Sequence, residues 1–96
     1  MKLEGKSIVV TGASAGMGQA IVTLFAQEGA NIIAVARRKE RLDALAEELK
    51  DVPGKVVPYA GDVSDPAVCE GMIDAAVKEF GRLDVLVNNA GIMDDN

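Results

Sequence analysis

At 96 residues, 49% hydrophobic and 26% charged, the chain holds one domain at most and predicts a packed core, not disorder. A net charge of -5 and a pI near 4.6 argue against a general nucleic-acid or anionic-membrane binder, so any phosphate site must be local. The sequence has no histidine, which excludes His-based acid/base chemistry and zinc-type clusters. Its single Cys69 excludes an internal disulfide.

The first strand is predicted over Ser7–Thr11, a continuous apolar run of the kind buried on both faces. A glycine-rich turn, Thr11-Gly12-Ala13-Ser14-Ala15-Gly16-Met17-Gly18, leads into a helix over Gly16–Glu28, where Met17, Ile21, Leu24, Phe25 and Glu28 recur at helical spacing. A second buried-type strand follows at Asn31–Ala36. The second helix, Lys39–Lys50, carries Leu42, Leu45 and Leu49 as its apolar stripe, and Asp51-Val52-Pro53-Gly54 breaks it. The third strand, Lys55–Ala60, contains Pro58, which cannot donate a ladder hydrogen bond and so places it at a sheet edge. Asp65 and Pro66 cap and open the third helix, whose inward row is Val68, Met72, Ala76 and Phe80, and Gly81 ends it. The fourth strand is Leu83–Asn88. No signal peptide and no membrane span is recognisable, so a soluble, cytoplasmic protein is expected.

Helical links between strands imply parallel pairing through right-handed crossovers. An α/β sheet of order 3-2-1-4 puts Pro58 on the outer edge and a topological switch point between strands 1 and 4. The fourth strand then lies at the other edge without a neighbour, a liability that invites self-association.

Four stretches of sequence reach the carboxyl ends of these strands. The glycine-rich turn runs from a strand into a helix N-terminus, where unpaired amides and the helix dipole accept an anion. It is no P-loop, because Met17-Gly18 stands where Gly-Lys would be required; a helix-capping turn without a ligand is the alternative. At the end of strand 2, Ala36-Arg37-Arg38 stands where an acidic residue would hold a ribose 2′-hydroxyl. Arginine there suits a 2′-phosphate instead, or else belongs to a solvated helix start. Asp62 is a candidate acceptor for an adenine amino group, or a local turn former before Ser64 and Asp65. The amides of Asn88-Asn89 can tie strands together, and the small Ala90 and Gly91 leave room for a nucleoside.

Together with Asp62-Val63 and Gly81-Arg82-Leu83-Asp84-Val85-Leu86-Val87-Asn88-Asn89-Ala90-Gly91, this pattern resembles the short-chain dehydrogenase/reductase family over essentially the whole chain. The resemblance implies a Rossmann-type doubly wound parallel sheet, here about four strands with three helices, and residues 1–96 forming an NADP-binding half domain. It implies that Gly12, Ser14, Ala15, Gly16, Met17 and Gly18 hold the pyrophosphate and ribose, with Ser14 adding a side-chain hydrogen bond. Arg37 and Arg38 would mark preference for NADP over NAD, Asp62 and Val63 would meet adenine, and Asn88, Ala90 and Gly91 would line the adenosine ribose.

The family's catalytic serine and Tyr-x-x-x-Lys pair fall past the position matching Asn96. The one tyrosine, Tyr59, is followed four places later by Val63. The expectation is the amino-terminal cofactor-binding part of an NADP-dependent oxidoreductase acting on a carbonyl or alcohol in the intact protein, with this chain inactive alone. The alternative is a stand-alone or engineered half-Rossmann nucleotide-binding module without catalysis. A third reading is an NADP-sensing interaction protein using strand 4.

Overall fold

Strand and helix alternate along the chain because the short β-branched runs and the longer amphipathic runs alternate in the sequence. The computed structural model describes residues 2–89. Its elements are β1 (Ser7–Thr11), α1 (Gly16–Gln27), β2 (Asn31–Ala36), α2 (Lys39–Glu48), β3 (Lys55–Ala60), α3 (Pro66–Phe80) and β4 (Val85–Val87). The four strands form one parallel sheet in the order β3-β2-β1-β4. This is the expected order, and Pro58 sits on the outer strand opposite Ala34.

Alternate residues of the two central strands supply two cores. Ile8, Val10, Ile32 and Ala34 face α1 and α2, where Val22, Ala26, Leu42, Leu45 and Leu49 close the layer. Val9, Ile33 and Val35 face α3 and meet Met72 and Ala76. Helices on both faces explain why β1 is buried throughout and β2 is buried from Ile32 to Ala36. The leucine stripe of α2 packs as predicted. Asp65 caps α3 by accepting the Ala67 amide at 2.9 Å, Pro66 follows, and the helix stops at Gly81.

The apolar recurrence in α1 marks its buried face only in part: Ile21 and Phe25 pack against the core from its flank, and the rest of the row does not. Gly18, Val22 and Ala26 are buried, whereas Met17 and Leu24 are each 56% exposed. Small side chains let the helix sit close against the sheet and loop, and the larger ones flank the contact or face away.

β4 is shorter than Leu83–Asn88, because it has one neighbour and pairs only where β1 offers Ile8, Val9 and Val10. Asp84 anchors its approach: its amide donates to the Ser7 carbonyl, and its Oδ2 accepts from the Ser7 amide, both at 2.8 Å. Its Oδ1 accepts from Arg82 Nη2 at 2.7 Å. The Ser7 amide first, and Arg82 second, hold the Asp84 carboxyl below the usual 3.8. A lowered folded-state pKa stabilises the fold above the unfolded value, and that contribution is lost as pH falls through the folded one. Asp84→Asn should therefore be less stable than the parent at pH 7, with the gap closing as pH drops below about 4. Urea midpoints of both proteins across that range provide the check; a gap independent of pH would contradict the role of the charge.

Candidate functional site

All four strands end at one rim, and the segments leaving them enclose a cleft of about 470 Å³. Gly12, Ser14, Ala15 and Gly16 line it from the loop after β1, and Val35, Ala36 and Arg37 from the end of β2. Arg41 enters from the first turn of α2, Gly61, Asp62 and Val63 from beyond β3, and Asn89 from beyond β4.

The loop after β1 owes its course to two glycines. Gly12 (φ 65°) and Gly16 (φ 58°) both adopt the left-handed region that disfavours a side chain. Between them the Ala13 amide donates to the Val35 carbonyl at 3.0 Å, fastening the loop to β2. Ala15 precedes α1 with extended backbone and gives no side-chain cap, and the first turn of α1 carries no acidic residue. The first bond into the helix runs from the Gln19 amide to the Ala15 carbonyl at 3.4 Å. The amides of Gly16, Met17 and Gly18 therefore have no intrahelical partner, at the positive end of the helix dipole. A Cβ on Gly18 would run into the Gly12 carbonyl oxygen and come within 2.8 Å of Asn89 Nδ2. Gly18 is thus required by the approach of α1 to its own loop.

Asn89 is 2% exposed, and its Nδ2 donates to the Gly12 carbonyl at 3.3 Å, while its Oδ1 is buried without a hydrogen-bond partner among the described residues. The loop is held from β2 on one side and from the end of β4 on the other. Across the cleft, Asp62 Oδ1 accepts from the Ser64 amide and hydroxyl, both at 2.9 Å. Those bonds chiefly, with the Arg37 charge adding, hold its carboxyl below the ordinary value, so it is an anion at neutral pH. Arg37, Arg38 and Arg41 are exposed, and none has an ion-pair partner among the described residues.

Of the residues singled out from sequence, Gly12, Ser14, Ala15, Gly16, Arg37, Asp62 and Val63 come together on the cleft wall. The others described lie off it. The Met17 side chain points to solvent, Gly18 lies beneath the loop, and Arg38 is the N-cap of α2. Asn88 Oδ1 accepts from Thr11 Oγ1 at 3.1 Å and so ties the ends of β4 and β1. Ala90 and Gly91 lie outside the described residues. Sequence reasoning passed over Val35, Gly61, Arg41 and Asn89 as site residues. Arg41 carried no local signal that set it apart from Arg38, because the turn into α2 decides which of the two reaches the wall.

Among the described residues there is no cluster of potential metal ligands, and no helix is long and apolar enough to cross a membrane.

A parallel sheet of this order, a glycine loop opening a helix, and a cleft at the strand-order reversal together define a Rossmann-type nucleotide-binding fold. The family model for short chain dehydrogenases matches residues 6–96, and the chain belongs to that family of oxidoreductases. It is 50% identical over 95 residues to the 3-oxoacyl-acyl-carrier-protein reductase of Thermotoga maritima, covering 99% of this chain and 39% of that protein. The crystal structure of L-sorbose reductase from Gluconobacter frateurii, complexed with NADPH and L-sorbose, superposes with a TM-score of 0.86 at 42% identity, over 93% of this chain and 34% of that one. A metagenomic short-chain oxidoreductase in complex with NADP gives a TM-score of 0.82 at 34% identity, over 90% and 39%. The chain thus spans between about a third and two fifths of the length of these proteins, and corresponds to their amino-terminal Rossmann part.

Proposed function

We propose that this chain is the NADP-binding part of a short-chain oxidoreductase that transfers hydride between NADP(H) and a small carbonyl or alcohol substrate. The observation that carries the cofactor preference is Arg37 at the end of β2, on the same cleft as the bare amides of α1, with Ala36 where a carboxylate would repel a 2′-phosphate. The residues present fit the cofactor. The Gly16, Met17 and Gly18 amides donate to the pyrophosphate oxygens, Ser14 adds a hydroxyl, and the Asp62 carboxylate accepts from the adenine amino group. Two relatives with similar folds bear NADPH or NADP in their crystals, which supports the same reading.

Bound nicotinamide supplies or accepts the hydride. This chain's residues grip the adenosine and pyrophosphate end and set which dinucleotide enters. Tyr59, the one tyrosine, lies on the outer strand β3 against Gly71, away from the cleft wall. The 96 residues alone are accordingly expected to show no dehydrogenase activity. The free thiol of Cys69, half-buried on α3 beside the core, suits a reducing compartment such as the cytoplasm. The β4 edge, with Val85 and Leu86 43% and 45% exposed, would self-associate in an isolated chain.

Calorimetric titration tests the preference. NADP should bind at least about tenfold tighter than NAD, and Arg37→Ala should remove most of that difference while leaving NAD affinity in place. Equal binding of both dinucleotides by the parent chain would overturn it.

A further inference from the structure

We infer that the start of α3 carries the base-side wall of the cleft, with Cys69 as its positioning residue. The thiol holds the Val63 carbonyl and so sets where the base of a bound nucleotide meets the wall. The inference rests on the reading of the cleft as a nucleotide site, and adds to it a residue that lies off the wall.

Gly61, Asp62 and Val63 line the cleft beyond β3. Gly61 is bonded back to the sheet, its amide donating to the Ala36 carbonyl at 2.9 Å. From there onward the partners belong to α3 and its cap. The Asp62 carbonyl accepts the amide of Asp65, the N-cap of α3, at 3.0 Å. The Val63 carbonyl accepts from Cys69 Sγ at 3.2 Å. Val68 lies over Gly61, where a Cβ would come within 2.8 and 3.0 Å of the two valine methyl carbons, so helix and wall touch. Met72 and Ala76 then seat α3 on Val9, Ile33 and Val35, which makes the wall an extension of a packed helix.

Packing alone does not require a thiol at position 69, because the side chain is half-buried and an apolar group of that size would fill the place. What the thiol adds is a donor, weak by itself but directed at the carbonyl of a wall residue. A wall fixed beforehand spares a ligand the cost of ordering it on binding. Linkage makes the effect reciprocal: the factor that this bond adds to nucleotide affinity, a bound nucleotide adds to the bond. The thiolate is the form that alkylates, and it has no proton to donate to Val63. A nucleotide on one side of the wall should therefore protect the sulfur on the other.

The test uses calorimetry on the whole chain with 5′-AMP and ribose 5-phosphate as probes, beside the rate of alkylation by iodoacetamide. The chain has one cysteine, so the label reports Cys69 alone. Cys69→Val keeps the packing and drops the donor; it should weaken 5′-AMP about fivefold and leave ribose 5-phosphate unchanged. Cys69→Ser should recover part of that loss. In the parent, saturating 5′-AMP should slow alkylation about fivefold, and ribose 5-phosphate should not. Thermal melts verify that each variant folds, and the alkylation rates need no variant at all. A cysteine that only packs would shift the melting temperature of Cys69→Val without moving the ratio of the two affinities. That unchanged ratio, or alkylation indifferent to 5′-AMP, would overturn the inference and leave the nucleotide reading standing. A parent chain that does not distinguish 5′-AMP from ribose 5-phosphate would overturn the reading of the base side itself.

Discussion

Gly18→Ala is expected to abolish measurable NADP binding and to destabilise the chain, although alanine is the better helix former. In an exposed helix interior the substitution would gain about 1 kcal/mol. Here the added Cβ points into the Gly12 carbonyl, with the Gly12 carbonyl carbon at 2.7 Å and Asn89 Nδ2 at 2.8 Å. Two of those three atoms are backbone, so no rotamer change relieves the contact and the loop must move. Overpacking of this kind costs about 1–3 kcal/mol, which outweighs the helical gain. The displaced loop would carry the Gly16 and Met17 amides out of register with a pyrophosphate. Gly71→Ala is the comparison in α3, where the added carbon would meet the hydroxyl and ring of Tyr59, a side chain packed against the core on that face and remote from the loop. Urea melts together with NADP calorimetry should find Gly18→Ala impaired in both, and Gly71→Ala lowered in stability by about 1–3 kcal/mol with NADP affinity retained. Normal NADP affinity in Gly18→Ala would show that the loop geometry does not govern binding.

Ile33→Ala should cost about 2–5 kcal/mol, the usual range for emptying a fully buried aliphatic site. Ile33 is 0% exposed at the middle of β2, in register with Val9 on one side and Val57 on the other, beneath Met72 and Ala76. A chain of this length has only about 5–14 kcal/mol of total stability to lose, so the single substitution removes a large share of it. Leu24→Ala deletes a similar side chain from α1 that is 56% exposed, and should change stability by no more than about 0.5 kcal/mol. Equal losses at the two positions, measured by urea denaturation, would contradict the packing of α3 over the centre of the sheet.

The strands and their order were readable because each rests on local chemistry: buried-type runs, helical links that force parallel pairing, and Pro58 on the strand that needs an edge. The glycine loop was readable for the same reason. What escaped depends on how elements approach one another. The large apolar residues of α1 suggested its inner face, yet the close approach of helix to loop selects Gly18, Val22 and Ala26. Arg38 and Arg41 look equivalent as surface cations until the turn into α2 is known, and that turn places Arg41, not Arg38, on the wall. Asn88 was named for the site, while Asn89 was read only as able to tie strands. The one-residue step between them sends the first to Thr11 and the second under the Gly12 carbonyl. The extent of β4 was set by where β1 begins and ends, which no local pattern in Leu83–Asn88 records.

On the proposed reading, this cleft grips the phosphorylated dinucleotide through the amides opening α1 and the arginine after β2. Amide-resolved nuclear magnetic resonance of the labelled chain, titrated with NADP, tests it most directly. Saturable shifts concentrated at Gly12, Ser14, Gly16, Met17, Gly18, Arg37 and Asp62, with those at Arg37 much reduced when NAD replaces NADP, are the predicted result. Shifts confined to other surfaces, or none at saturating NADP with the fold intact, would contradict it.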